Sequence, residues 1–425
     1  MRIDRLVITN FDGFDRREFT FHPRFNLLIG DNASGKTSLL DALAIAVGSW
    51  FLGLRGYQQV PGIGIEEVRA VPHRHEDSIT FEKQFPARID CHGDVMGTSI
   101  AWTRELKSER GRTTSIDARW MADIASETEK RVRAGESVTL PLIAAYGTER
   151  LWFEQPHRKK HAPADARHRM PSRLDAYRDC IKFTIEEAAL IEWTRDQSIV
   201  IPRTGKEPAA LAVVKSAILN CIEGAASIYY DGRYKDLVVE LPEPQGTQLF
   251  SNLSDGQRIM LTLVGDLARR AATLNPHLGI AATGETPGVV LIDELDLHLH
   301  PKWQRRVMQD LKLTFPGLQF IATTHSPQLI GEALPEEIRI LDDNRTTIPK
   351  HSLGLDSSRV VEEIMGAESR NEAVTDTLSH LSAAIDAEDF GAAEGLISEM
   401  ERTLGPDDPE VTRARALMSF LTSSK

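Results

Sequence analysis

Long apolar runs are missing from this 425-residue chain. No stretch of 18 apolar residues occurs, so no membrane-spanning helix and no membrane association are expected. The first ten residues alternate Ile3, Leu6 and Ile8 with charged positions, a strand pattern rather than the apolar core of an export signal. Cysteine is scarce. The three present, Cys91, Cys180 and Cys221, lie far apart, with neither metal-site spacing nor a disulfide framework. That suits a reducing, cytoplasmic setting. Sustained heptads are absent, which excludes a long coiled-coil arm. Positive charge is in deficit, 50 Lys and Arg against 62 Asp and Glu for a net charge of −12, so the surface as a whole should not attract nucleic acid indiscriminately. The remainder, 41% hydrophobic and 26% charged, is ordinary for a globular chain of two or three domains, or of one large α/β domain with additions.

Against these absences stands one octet, Gly30-Asp31-Asn32-Ala33-Ser34-Gly35-Lys36-Thr37, which fits the phosphate-binding pattern G-x-x-x-x-G-K-[ST]. Its flanks have the required form. Phe25 to Ile29 is a short apolar run that predicts a buried strand. From Ser38 onward, Leu39, Leu40, Leu43, Ala44 and Val47 share one helical face. Two glycines let the backbone wrap closely around phosphate oxygens, and the loop N–H groups with the helix N-terminus then face an anion. In this pattern Lys36 reaches the β- and γ-phosphates of ATP and the Thr37 hydroxyl binds Mg²⁺.

The rest of the chain predicts an α/β fold. Strands are expected over 2–9, 17–22, 25–30, 85–92, 98–107 and 140–145. Helices are expected over 117–134, 180–196 and 208–224, with Trp120 and Ile124 in helical register in the first. Residues 53–80, rich in Gly, Pro and His, suggest a loop excursion, and Asp231-Gly232 a hairpin turn. Residues 156–178 form a basic island (Arg158, Lys159, Lys160, Arg167, Arg169, Arg173 and Arg178, interleaved with His157, His161 and His168) that offers either a DNA or RNA backbone contact or a solvated loop.

A second set of motifs follows. Gly288 to Ile292 is an apolar strand ending in Asp293-Glu294. Asp293 is placed to hold the metal and Glu294 to orient or deprotonate the attacking water. Leu253-Ser254-Asp255-Gly256-Gln257 opens an amphipathic helix carrying Met260, Leu263, Val264 and Leu267. It is either a second anion site through Ser254, Gly256 and Gln257, or a plain helix cap. Leu318 to Ala322 is another short strand, ending in Thr323-Thr324-His325-Ser326-Pro327, where His325 could meet a γ-phosphate or the attacking water. At the C-terminus, Val374, Leu378, Leu381 and Ile385, then Ala393, Leu396, Met400 and Leu404, then Ala414, Leu417, Met418 and Leu421 predict three short helices in a small bundle. That bundle either covers the core or docks a second protein.

This ordered set resembles the ATP-binding-cassette ATPases, and within them the soluble branch of SMC, RecF and overcoming-lysogenisation-defect proteins. Asn10-Phe11-Asp12-Gly13-Phe14 keeps that branch's opening, although members often carry a basic residue where this chain has Asp12. The runs Leu291 to Gln304 (LIDELDLHLHPKWQ) and Tyr146 to Trp152 (YGTERLW) resemble bacterial AAA family cassette ATPases of the Septu antiphage system and of retrons. The resemblance implies a P-loop NTPase head over 1–350 (P-loop lobe 1–50, a β and helical insertion 51–245, and a lobe 246–350 with the later motifs), followed by a helical region 351–425. It implies ATP hydrolysis with Mg²⁺, in a head-to-tail homodimer or an oligomer of such dimers. Gly30 to Thr37 and Ser38 of one copy, with Ser254, Gly256 and Gln257 of the other, would bind the nucleotide, and His298 to Pro301 would line the seam. The usual glutamine loop is not identifiable; Tyr146 to Arg150 occupies a similar place.

As a function, the resemblance implies control of a separate nucleic-acid-directed effector of HNH nuclease type, since no H-N-H pattern or acidic strand end after His325 supplies a nuclease here. Three alternatives stay open: a RecF-like DNA-end-binding ATPase, a transporter ATPase subunit, and a metal site at Asp296, His298 and His300.

Overall fold

The structure, a computed structural model, describes residues 1–57, 60–76, 78–148, 171–184, 187–201, 205–222, 224–342 and 345–423. The chain divides into two compact units, Met1–Asp356 and Ser357–Lys425.

In the larger unit, β1 (Arg2–Phe11) and β2 (Phe14–Thr20) pair antiparallel across the Asp12-Gly13 turn. Asn10 and Asp12 both take φ of 50° there, a conformation that Asn and Asp adopt more readily than other side chains. A register shift between Ile3 and Arg5 moves the inward alternation by one, so Ile3, Leu6 and Ile8 are all buried. β3 (Phe25–Gly30) is buried on both faces, as its unbroken apolar run predicts, and feeds α1 (Lys36–Val47).

The stretch read as a loop excursion holds a two-stranded hairpin, β4 (Ala70–Arg74) and β5 (Ile79–Lys83). It is largely exposed, with Pro72, His73 and Arg74 in one strand, so it carries no burial pattern that sequence periodicity could detect. β6 (Ala87–Val95) and β7 (Thr98–Leu106) complete a four-stranded antiparallel sheet ordered β2-β1-β6-β7. α2 (Arg119–Arg133) turns Met121, Ala125, Thr128 and Glu129 inward and leaves Trp120 exposed.

Beyond β8 (Leu142–Tyr146) come α3 (Glu187–Ser198), α4 (Ala209–Cys221) and a three-stranded sheet of β9 (Ser227–Asp231), β10 (Asp236–Glu240) and β11 (Thr247–Leu249). α5 (Asp255–Leu274), β12 (Gly288–Ile292), α6 (Pro301–Thr314), β13 (Leu318–Thr323), β14 (Ile338–Asp342) and β15 (Arg345–Thr347) complete the unit.

The principal sheet runs β15-β14-β3-β13-β12-β8. All neighbours are parallel except β15, which lies antiparallel on the edge. The fold is thus a mixed-sheet α/β P-loop architecture with an N-terminal β subdomain and helical additions. Parallel strands point their C-terminal ends the same way, so β3, β12, β13 and β8 deliver the chain to one edge of the sheet.

After a short helical turn over residues 357–364, the described residues of the smaller unit form three longer helices, α7 (Glu372–Asp386), α8 (Phe390–Leu404) and α9 (Pro409–Ser423). Their core is Leu381, Ala393, Ile397, Met400, Val411 and Ala414, with Leu378, Ile385, Leu396, Leu404 and Met418 packed against it. Leu417 turns out to solvent, and Val411 and Ile397 take interior places that helical spacing did not single out.

Candidate nucleotide site

β3 ends at Gly30, and the octet forms the connection to α1. Ala33 and Gly35 take positive φ of 69° and 89°, which curls the loop back on itself. Gly35 is required twice over: a Cβ there would lie 2.4 Å from the Phe14 ring, in a backbone conformation that L side chains rarely adopt. α1 starts at Gly35 with no side-chain cap and no acidic residue in its first turn. Its N-terminal end therefore keeps unspent N–H donors and positive dipole character.

The Ser34 hydroxyl is buried with no hydrogen-bond partner, an orphan donor inside the loop. Lys36 is buried, and its ammonium donates to the carbonyls of Gly30 and Asp31, each at 2.8 Å. Burial lowers the Lys36 pKa, while Asp293, Asp31 and Glu294 pull it back toward the charged form. Asp31, Asn32 and Ala33 are exposed. The next residue, Ser38, donates its hydroxyl to the Asp12 carboxylate, so Asp12 braces the start of α1.

The sheet order sets β13 between the P-loop strand and β12. Thr323, at the end of β13, links the two acidic residues after β12. Its hydroxyl donates to Asp293 Oδ1 at 2.6 Å and accepts the Glu294 N–H at 2.7 Å. The other Asp293 oxygen lies 3.5 Å from Thr37 Oγ1. Glu294 takes a positive φ of 49°, which reverses the chain directly after the strand. Thr324 donates to Asp296 at 2.5 Å, and Ser326 donates to Gln304 at 2.7 Å. His325, between them, is exposed at the same strand end.

Thr323 and Thr324 carried no signal of their own beyond their position in a strand-ending Thr-Thr-His. Their roles appear once the neighbouring strand is known.

The residues fit MgATP. An orphan hydroxyl, an uncapped helix start and a desolvated ammonium face the loop, and Thr37 and Asp293 offer two hard oxygen donors side by side. The alternative metal site at Asp296, His298 and His300 does not assemble. No group of three such ligands forms among the described residues; Asp296 is taken up by Thr324, and His300 Nδ1 accepts the Lys302 N–H.

At the start of α5, Ser254 and Gln257 form a reciprocal capping box. The Gln257 side-chain oxygen accepts from the Ser254 hydroxyl at 2.8 Å and from the Ser254 N–H at 3.1 Å. Ser254 is nonetheless exposed, so capping and an outward-facing hydroxyl coexist. Gly256 packs on the His298–Leu299 backbone, where a Cβ would lie 2.6 Å from the His298 carbonyl oxygen.

Most of the basic island (His157 to Arg169) and Glu149 to Trp152 lie outside the described residues. Arg173, at its far end, is structural: it donates to the carbonyls of Leu274 at 2.7 Å, Glu136 at 3.2 Å and Val138 at 2.5 Å. No helix among the described residues is long and apolar enough to cross a membrane.

The chain is similar to known proteins. Residues 5–197 match a family model described as "AAA domain", and residues 215–331 one described as "AAA domain, putative AbiEii toxin, Type IV TA system". The chain is similar to a "Retron Vc95 probable ATPase" of Vibrio cholerae serotype O1 biovar El Tor, 49% identical over 92 residues (22% of this chain, 18% of the relative). It is 32% identical over 203 residues to a "Retron Ec83 probable ATPase" of Escherichia coli (47% of this chain, 37% of the relative). It is 27% identical over 174 residues to a "Septu protein PtuA" of Bacillus thuringiensis (39% of this chain, 44% of the relative). In each case the match spans less than half of the relative's length.

Proposed function

We propose that this chain, an ABC/AAA-type P-loop ATPase similar to the retron and Septu ATPases, hydrolyses ATP between two copies of itself and uses that cycle to control a separate nucleic-acid-directed effector in antiphage defence. The observation that carries the reading is the convergence at one sheet edge of a glycine loop holding the unpartnered Ser34 hydroxyl with Thr37 and Asp293 at 3.5 Å, bridged through Thr323 to Glu294.

In this reading the loop N–H groups, the Ser34 hydroxyl and Lys36 bind the β- and γ-phosphates. Thr37 and Asp293 hold Mg²⁺, which when bound neutralises charge on the phosphate oxygens. Thr323 fixes the Asp293 carboxylate and the Glu294 backbone, so Glu294 is aimed at the face where water attacks and accepts its proton. His325 steadies the γ-phosphate from the neighbouring strand. Ser254, Gly256 and Gln257 of the second copy close the pocket, since their exposed helix start presents donors to an anion. The effector, a nuclease of HNH type, is a separate polypeptide. The resemblance to retron and Septu ATPases supports the defence role.

The test uses purified protein. Glu294→Gln should bind ATP, associate into dimers and turn over about 10²–10³-fold more slowly. Lys36→Ala should lose both binding and association. Unchanged turnover in Glu294→Gln, or a chain that stays single with ATP bound, would reject the mechanism.

A further inference from the structure

One buried polar cluster lies outside the phosphate machinery yet touches both halves of it. Tyr146 ends β8 and is 1% exposed. Its main-chain carbonyl accepts the N–H of Asp293 at 2.8 Å. Its side chain reaches the other way, into α5, where the hydroxyl donates to Asp266 Oδ2 at 2.8 Å. Asp266 is itself buried and also accepts from Arg269 and from Arg270 Nε, the latter at 2.7 Å. Arg270 continues to the carbonyls of Ala176 and Arg178. Burial would raise the Asp266 carboxyl, but Arg270 and Arg269 outweigh it and hold the group well below the usual carboxylate range. Burial, and then the Asp266 charge, push the Tyr146 hydroxyl far above its ordinary pKa, so it stays a donor at any working pH.

We infer that Tyr146 is a positioning residue that joins the occupied or empty state of a chain's own nucleotide site to the direction in which its α5 presents Ser254. The inference rests on the sandwich proposed above. One residue holds the backbone beneath the metal-binding aspartate and the helix whose first turn meets the partner's nucleotide. Asp266 sits about three helical turns beyond Ser254, so a small tilt at Asp266 becomes a larger displacement at the helix start. In a dry interior the Tyr146–Asp266 bond has no water to replace it, and α5 cannot rotate against β8 without leaving a buried hydroxyl unpaired. The helix therefore follows the strand end. Removing the hydroxyl frees α5 without emptying the nucleotide pocket, and Asp266 keeps both arginines.

The experiment compares Tyr146→Phe with Tyr177→Phe. Tyr177 is an equally buried tyrosine whose hydroxyl donates to the Pro141 carbonyl at 2.6 Å rather than to Asp266. Both changes are made in the Glu294→Gln protein, and three quantities are read: affinity for a fluorescent ATP analogue, ATP-driven dimerisation by sedimentation, and urea stability. Each loses one buried hydrogen bond, so both should unfold at similarly reduced urea. Only Tyr146→Phe should weaken ATP-driven dimerisation, by about ten-fold, the usual scale for one hydrogen bond to a charged group, with nucleotide affinity kept. Equal dimerisation in Tyr146→Phe and its parent would overturn the coupling role and leave the sandwich standing. So would an equal loss in both tyrosine variants, since it would mark a general loss of packing. A parent that never dimerises with ATP would refute the sandwich and the role together.

Discussion

Replacing Asp41 with asparagine should stabilise the protein at neutral pH and above, by an amount that shrinks through mild acid and vanishes below about pH 3.8. Asp41 lies one turn beyond Thr37 on α1. Its carboxyl is pushed up from 3.8 to about 6, first by burial and then by the charges of Glu67, Asp293 and Asp12. A displacement of about two pH units corresponds to at most about 3 kcal/mol. The carboxyl keeps some contact with water, and screening brings the realistic cost of its charge to about 1–2 kcal/mol. The sign follows from proton linkage. The folded state holds the Asp41 proton more tightly than the unfolded state, so stability is greatest below pH 3.8 and is lost as pH rises toward about 6. Asparagine is neutral throughout. The advantage of Asp41→Asn should be near zero at pH 3.5, grow between pH 4 and 6, and level off at about 1–2 kcal/mol by pH 7.5. Urea unfolding at a series of pH values, monitored by tryptophan fluorescence, measures it. A pH-independent difference, or a loss of stability at pH 7.5, would refute the assignment of burial and like charge as the cause.

Asp266→Ala should be far more damaging. It strands the buried Arg270 and deprives the partly exposed Arg269 of its carboxylate, and the unfolding free energy should fall by about 3–5 kcal/mol, read from the same urea curves. Gly256→Ala should leave ATP affinity intact and depress turnover at least about ten-fold, because a Cβ 2.6 Å from the His298 carbonyl must displace either the start of α5 or the turn after Glu294. Steady-state kinetics beside an equilibrium binding curve separates the two effects.

The elements readable from sequence were those buried on both faces or bounded by special residues. β3, β8, β12 and β13 are short, mainly apolar runs, buried along their length in the principal sheet, with β8 at its edge. The loop between β3 and α1 was legible because its glycine spacing matches the tight turn that it makes, with Gly35 at φ of 89°. Exposed structure was not legible. The β4–β5 hairpin has no inward face to impose alternation, so its Gly, Pro and His content suggested only a loop. Trp120 shows the opposite hazard: a large aromatic in helical register that faces water, while Thr128 and Glu129 go inside, the latter accepting the Arg55 N–H at 2.7 Å and pairing with Arg133. The Tyr146–Asp266–Arg270 cluster was hidden for a different reason. Tyr146 lies 120 positions from Asp266, and a single polar residue in an apolar strand carries no period.

The pairing of β3 bears on how the molecule is made. This strand ends at Gly30, yet its two sheet neighbours, β13 and β14, end at Thr323 and Asp342. Until some three hundred further residues have emerged, an apolar strand and the glycine-rich turn behind it have no ladder to join. The N-terminal hairpin can close early; the nucleotide pocket cannot. The nucleotide pocket therefore assembles only after β13 and β14 have been made, and a product stopped before them would carry the phosphate motif in its sequence without a sheet on which to display it.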